Sequence, residues 1–113
     1  MLTLIFSSLL FTNVVTMPEA PKWDMAETLA KIAYCESRNR NGIINENDYG
    51  SPSFGKYQFK IQTFVWAGRK YDLPHGDIWS EEQQEAILKA LIENRQAHKH
   101  WKVCWKIMNL NYE

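Results

Sequence analysis

Two short stretches of this chain carry residue types that can do chemistry together: Cys35-Glu36-Ser37 and Ser53-Phe54-Gly55-Lys56-Tyr57-Gln58-Phe59. The first offers a carboxylate, which moves a proton when its surroundings hold it partly protonated. The second offers Gly55, whose missing side chain permits unusual backbone or close approach of a ligand, and Gln58, which has one amide donor group and one acceptor. Glu46 and Asp48 lie between them and are the acids close enough in sequence to serve as a second charged group.

These groups need elements to hold them. Met25, Leu29, Ile32 and Glu36 follow at spacings of four, three and four, so they share one face of a helix and Glu36 continues an otherwise apolar stripe. Asp24 is placed to cap that helix, with Glu27 in the reciprocal position. An acid half buried at the end of such a stripe has its pKa raised, as a general acid requires; the plainer reading is a glutamate at a frayed helix end, free in water.

From Ser37 to Ser53 the chain is rich in Asn, Arg, Gly, Asp and Ser without a sustained period, which predicts a loop or a loop carrying a short hairpin. Asn41-Gly42 matches a type I′ hairpin turn, and Tyr49-Gly50 is a second turn point. Thr63 is expected to cap a short helix over Phe64 to Lys70, with Gly68 allowing close packing. Ser80-Glu81-Glu82-Gln83 reads as a capping box opening a longer helix to about His98, with Ala86, Ile87, Ala90, Leu91 and Asn94 on one face and Leu88 and Ile92 widening it. His98 and His100 are two apart and have no third ligand nearby, so no metal and no cofactor is expected.

The 113 residues make one domain at most, with 13 Lys and Arg balanced by 13 Asp and Glu. That balance gives no pull toward nucleic acid, and 45% hydrophobic residues with five each of Trp, Tyr and Phe suffice for a core and a binding cleft. Leu2 to Val15 is an apolar run of signal-peptide length, shorter than the about 20 residues of a comfortable membrane span. Residues 1–22 are therefore expected to be a leader and linker, and 23–113 the folded domain. Export is the preferred outcome; an uncleaved leader would anchor the chain and allow transient membrane contact.

Cys35 and Cys104 read as buried thiols in a reducing compartment and as one disulfide if the chain is exported.

Taken in order, Trp23-Asp24, Ile32-Ala-Tyr-Cys-Glu-Ser37, Ser53 to Phe59, Thr63-Phe64, Ala67-Gly68, Glu82-Gln-Gln84 and Trp101-Lys-Val-Cys104 resemble the transglycosylase-like domain of resuscitation-promoting factors, within the lysozyme and soluble lytic transglycosylase superfamily. The resemblance runs from Trp23 to Trp105. It implies a mainly α, lysozyme-like fold with a small hairpin beside a groove for alternating amino sugars. Glu36 matches the catalytic acid, and Cys35 and Cys104 the disulfide pair. Gln58 and the Thr63 region match one wall of the substrate site, to which Tyr57, Ser37 and Gly55 are added as candidate contacts.

The implied reaction is cleavage of the β-1,4 bond between N-acetylmuramic acid and N-acetylglucosamine in peptidoglycan, outside the cytoplasm, by a monomer with no metal. Arg38-Asn39-Arg40-Asn41 stands where the family has a glycine-rich turn and a tryptophan, Thr63-Phe64 replaces Thr-Trp, and Phe54-Gly55-Lys56-Tyr57-Gln58 replaces Gly-Gly-Leu-Gln. These departures leave the acid in place and alter the groove around it. The alternative to an enzyme is a catalytically silent peptidoglycan-binding module.

Overall fold

The computed structural model describes residues 23–112, and the leader and linker expected over residues 1–22 lie outside the described residues. Helix α1 spans Met25–Ser37, and Asp24 caps it by accepting a hydrogen bond from the Ala26 amide at 3.0 Å. Glu27 pairs with Lys31 one turn on, at 3.0 Å. Leu29 and Ile32 of the apolar stripe are buried and Met25 packs against the core. The helix stops because Arg38 and Asn39 both take left-handed backbone, the Arg38 amide closing onto the Tyr34 carbonyl and the Asn39 amide onto that of Ala33.

Strands β1 (Ile44–Asp48) and β2 (Ser51–Phe54) form an antiparallel hairpin, so the polar excursion carries the hairpin that its composition allows. Its turn is Tyr49-Gly50, both at positive φ as a type I′ turn requires, whereas Asn41-Gly42 lies before the first strand and has positive φ only at Gly42. A register shift between Asn45 and Asp48 interrupts the regular alternation of β1. After β2 the chain makes one more tight reversal. Phe54 and Phe59 exchange both backbone hydrogen bonds at 2.9 Å, with Gly55 and Gln58 in left-handed conformations between them.

Helix α2 is Ile61–Lys70. It begins earlier than Thr63, which sits inside the first turn and caps nothing; the chain enters the helix directly from the Phe54–Phe59 pairing, with Lys60 at the cap position and no side-chain cap bond. Gly68 packs where a Cβ would come within 2.4 Å of the His75 side chain, as close packing there demands. Helix α3, Glu81–Glu93, opens on Ser80, whose hydroxyl accepts from the Gln83 amide at 3.1 Å, while the Gln83 side chain accepts from the Asp77 amide.

The sequence expectation carried α3 to about His98. Instead Arg95 turns left-handed, the amides of Asn94, Arg95 and Gln96 fold back onto Ala90, Ile92 and Leu91, and a separate short helix α4 follows at Ala97–His100. Helix α5, Lys102–Ile107, ends the ordered elements.

The result is a mainly helical fold with one small antiparallel hairpin. Its core joins Leu29, Ile32 and Ala33 of α1, Tyr57 and Phe59, Phe64 and Ala67 of α2, Ile87, Leu88, Leu91 and Ile92 of α3, then Ala97 and Trp101. Cys35 and Cys104 form a disulfide with Cα atoms 5.8 Å apart, tying α1 to α5. No helix among the described residues is long and apolar enough to cross a membrane.

Candidate functional site

Glu36, Asp48, Gln58 and Thr63, drawn from four different elements, line one cleft of about 220 Å³ together with Ser53, Lys60, Lys99, His100 and Trp101. Helix α1 delivers Glu36 from the end of its apolar stripe, and the disulfide at the preceding residue holds that turn against α5. The hairpin supplies Asp48 and Ser53, the Gly55 to Gln58 reversal supplies Gln58, and α2 and α4 close the far side.

Burial, reinforced by the negative charge of Asp48, pushes the Glu36 carboxyl up from 4.5 to about 7. Asp48 sits in a different setting. Its Oδ2 accepts a 2.6 Å hydrogen bond from the Ser53 hydroxyl and lies 3.7 Å from the Lys60 ammonium, which also donates to the carbonyls of Asp48 and Ser51. Two carboxyl groups thus share a cleft in unlike surroundings, one desolvated and one held by a hydroxyl and a cation. Such an arrangement gives two like groups unlike environments.

Gln58 spends both amide hydrogens inside the protein, donating from Nε2 to the carbonyls of Ile43 at 3.1 Å and Gly55 at 2.9 Å. Its side-chain oxygen accepts from none of the described residues and is the group it can offer a ligand. Thr63 Oγ1 lies 3.4 Å from His100 Nδ1. His100 is held toward its neutral form, first by desolvation and then by Lys99, His98 and Lys102.

The remaining candidates have other work. Ser37 is buried, donates to the Ala33 and Lys56 carbonyls and accepts from the Arg40 amide, so it fastens the end of α1 to the Gly55 to Gln58 reversal. Tyr57 is a core residue whose carbonyl accepts from Trp101 Nε1 at 2.7 Å and whose hydroxyl lies 3.3 Å from Glu85; burial and that carboxylate raise its pKa. Gly55 faces Gln84, and a Cβ there would sit 2.4 Å from Gln84 Nε2, so its small size serves packing. Glu46 is exposed on β1 and does not line the cleft; the register shift before Asp48 places the two acids differently despite their spacing of two.

Sequence reasoning did not single out Ser53, Lys60, Lys99, His100 and Trp101 as cleft residues, nor Gln84 as the pin behind it. Gln84 is buried, donates from Nε2 to the Phe54 carbonyl at 2.9 Å and the Ile78 carbonyl at 2.6 Å, and accepts the Tyr57 amide at 3.1 Å. Its signal was available: it shares the face of Ile87, Leu88 and Leu91, and a polar residue on an apolar stripe marks a buried hydrogen-bonding role. Lys56 adds a second clamp, donating to Glu81 at 2.7 Å while Asn41 donates to the same carboxylate at 2.6 Å; these two bonds hold Glu81 below the usual carboxylate range.

Among the described residues no group of three His, Cys, Asp or Glu side chains is placed to hold a metal ion. No protein-family model, curated protein or solved structure matches this chain.

Proposed function

We propose that this protein cleaves the glycan strands of peptidoglycan at the β-1,4 bond between N-acetylmuramic acid and N-acetylglucosamine, with Glu36 as general acid, on a lysozyme-like fold related to the transglycosylase-like domain of resuscitation-promoting factors. The observation that carries the reading is the Glu36 carboxyl, raised to about 7 in a cleft it shares with Asp48. At neutral pH such a group is protonated in a large fraction of molecules and loses its proton readily, as protonation of a leaving glycosidic oxygen requires.

In the proposed reaction the Glu36 proton passes to the bridging oxygen as its bond to the anomeric carbon breaks. Asp48, kept in place by Ser53 and Lys60, offers negative charge to the cationic sugar that forms. Attack by the sugar's own 6-hydroxyl gives an anhydro end and returns a proton to Glu36; attack by water gives a free reducing end. Gln58, through its unpaired carbonyl oxygen, is suited to accept the N–H of an acetamido group, and Thr63 to bond a sugar hydroxyl.

The presence of Asp48 in the cleft specifically favours a second reading of the chemistry, two-carboxylate hydrolysis, over a route in which one acid works alone. Mass spectrometry of the soluble fragments released from purified peptidoglycan by the oxidised protein separates the two. Anhydro-ended muropeptides mean transglycosylation, and products one water heavier mean hydrolysis. Retention on insoluble peptidoglycan without released fragments would replace both with a binding module.

A further inference from the structure

Helix α2 buries Phe64, Ala67 and Gly68 in the core and turns its other face outward. That outer face carries a shallow, open groove of about 660 Å³ formed by Ile61, Gln62, Val65, Trp66, Arg69 and Lys70. Trp66 is 44% exposed and Ile61 49%, although neither is needed outside to complete the core. A single exposed apolar residue is ordinary on a protein surface. Here the indole lies on a broad, open face, its ring centroid 5.9 Å from that of His100 and 6.4 Å from that of Tyr71.

Charge is the second feature. The Lys70 ammonium stands 5.9 Å from the Trp66 ring centroid, and neither Lys70 nor Arg69 pairs with a carboxylate among the described residues. The groove therefore combines a flat apolar platform with two uncompensated cations. It also neighbours the cleft, with His100 between the two: the His100 ring centroid is 5.9 Å from that of Trp66, and its Nδ1 lies 3.4 Å from Thr63 Oγ1 at the cleft wall.

We propose that the α2 groove is a second glycan subsite, in which the apolar face of a pyranose rests on Trp66 while a carboxylate carried by the sugar or its peptide substituent meets Arg69 and Lys70. This rests on the reading of the cleft as a peptidoglycan site, and it names the substrate class more narrowly. Strands long enough to pass from Glu36 over His100 to α2, and bearing acidic substituents, are bound at both places. Short neutral amino-sugar oligomers use the cleft alone. Stacking on an aromatic face and charge pairing each contribute a modest affinity, so loss of either costs on the order of tenfold in binding.

The test is sedimentation binding of the full chain to insoluble peptidoglycan in the Glu36→Gln background, where no cleavage complicates the readout. Adding Trp66→Ala is expected to weaken binding about tenfold, while Trp66→Tyr, which keeps a ring over α2, stays near the parent. Replacing Arg69 and Lys70 together with Gln is expected to weaken binding and to flatten its dependence on salt. In the active protein, Trp66→Ala raises KM on long strands more than on a short neutral oligomer.

Equal binding by Trp66→Ala and its parent overturns the proposal, as does equal loss in the Ala and Tyr variants or no binding by the parent at all. Trp66-dependent attachment to anionic lipid vesicles with unchanged glycan binding overturns it in favour of a lipid surface. Trp66-dependent glycan binding without any cleavage by the wild type sinks the enzymatic reading and leaves the subsite standing. Cleavage with Trp66-independent binding does the reverse.

Discussion

At the scale of single residues, Glu36 and Asp48 show how two like side chains in one cleft acquire different surroundings. Glu36 is desolvated and accepts no hydrogen bond from the described residues, while Asp48 has a hydroxyl donor and a lysine. The raised Glu36 pKa also bears on stability. The folded state holds its proton between 4.5 and about 7 where the unfolded state has released it, so the contribution to stability is fully present below pH 4.5 and is lost as pH rises through 7. Glu36→Gln is therefore expected to stabilise the protein at pH ~8 by up to about 3 kcal/mol and to change little at pH ~4, read from urea denaturation at the two values. Asp48→Asn removes the second cause of the shift. It moves the basic limb of a cleavage pH profile downward, although not back to 4.5, because burial is the larger cause.

The stripe that ends in Glu36 was legible from the spacing of Met25, Leu29 and Ile32, but its consequence was not. The same spacing fits an acid dangling in water, and only the arrival of the hairpin and α4, from other parts of the chain, desolvates it. Of the candidate acids, Glu46 and Asp48 were indistinguishable in sequence; the register shift in β1 and the reach of Lys60 distinguish them.

At the scale of elements, the reversal from Phe54 to Phe59 is the joint on which the cleft depends. Its glycine and amide looked like ligand-facing groups, yet Gly55 gives room to Gln84, and Gln58 is anchored by its nitrogen so that only its oxygen is free for a ligand. Gln84→Ala leaves the Ile78 carbonyl and the Tyr57 amide without their partner and takes from the Phe54 carbonyl one of its two donors, the Phe59 amide being the other, which is expected to cost about 3 kcal/mol in denaturant unfolding. Gly55→Ala meets both a φ of 79° and the 2.4 Å clash, so it should be destabilising by a similar amount. Element types read well from pattern, but ends did not. Thr63 resembled a cap but the Phe54–Phe59 pairing starts α2 earlier, and α3 stops short of His98 because Arg95 reverses the chain, a left-handed position that no glycine advertised.

At the scale of the whole molecule, about 90 residues leave little core to spare, and the disulfide joins the two regions that frame the cleft from behind. Closing 69 positions is worth about 4 kcal/mol on the chain-entropy estimate. Replacing both cysteines with serine should lower the denaturation midpoint accordingly, and reduction of the wild type should match it. A midpoint unchanged by either treatment would mean that packing alone holds α1 to α5. The pairing was open to two readings in the sequence because compartment, not spacing, decides between thiols and a bridge; the packing of α5 onto α1 brings the two cysteines together.

The central claim is that the Glu36 proton breaks a glycan bond, and release of soluble muropeptides from purified peptidoglycan by wild type and Glu36→Gln, compared side by side with the Cys35–Cys104 disulfide intact in each, tests it most directly. The account predicts steady release by the wild type and none above background from the variant, with both proteins equally folded and equally able to bind the insoluble glycan. Release by the variant at the wild-type rate, or none from either protein, would contradict it.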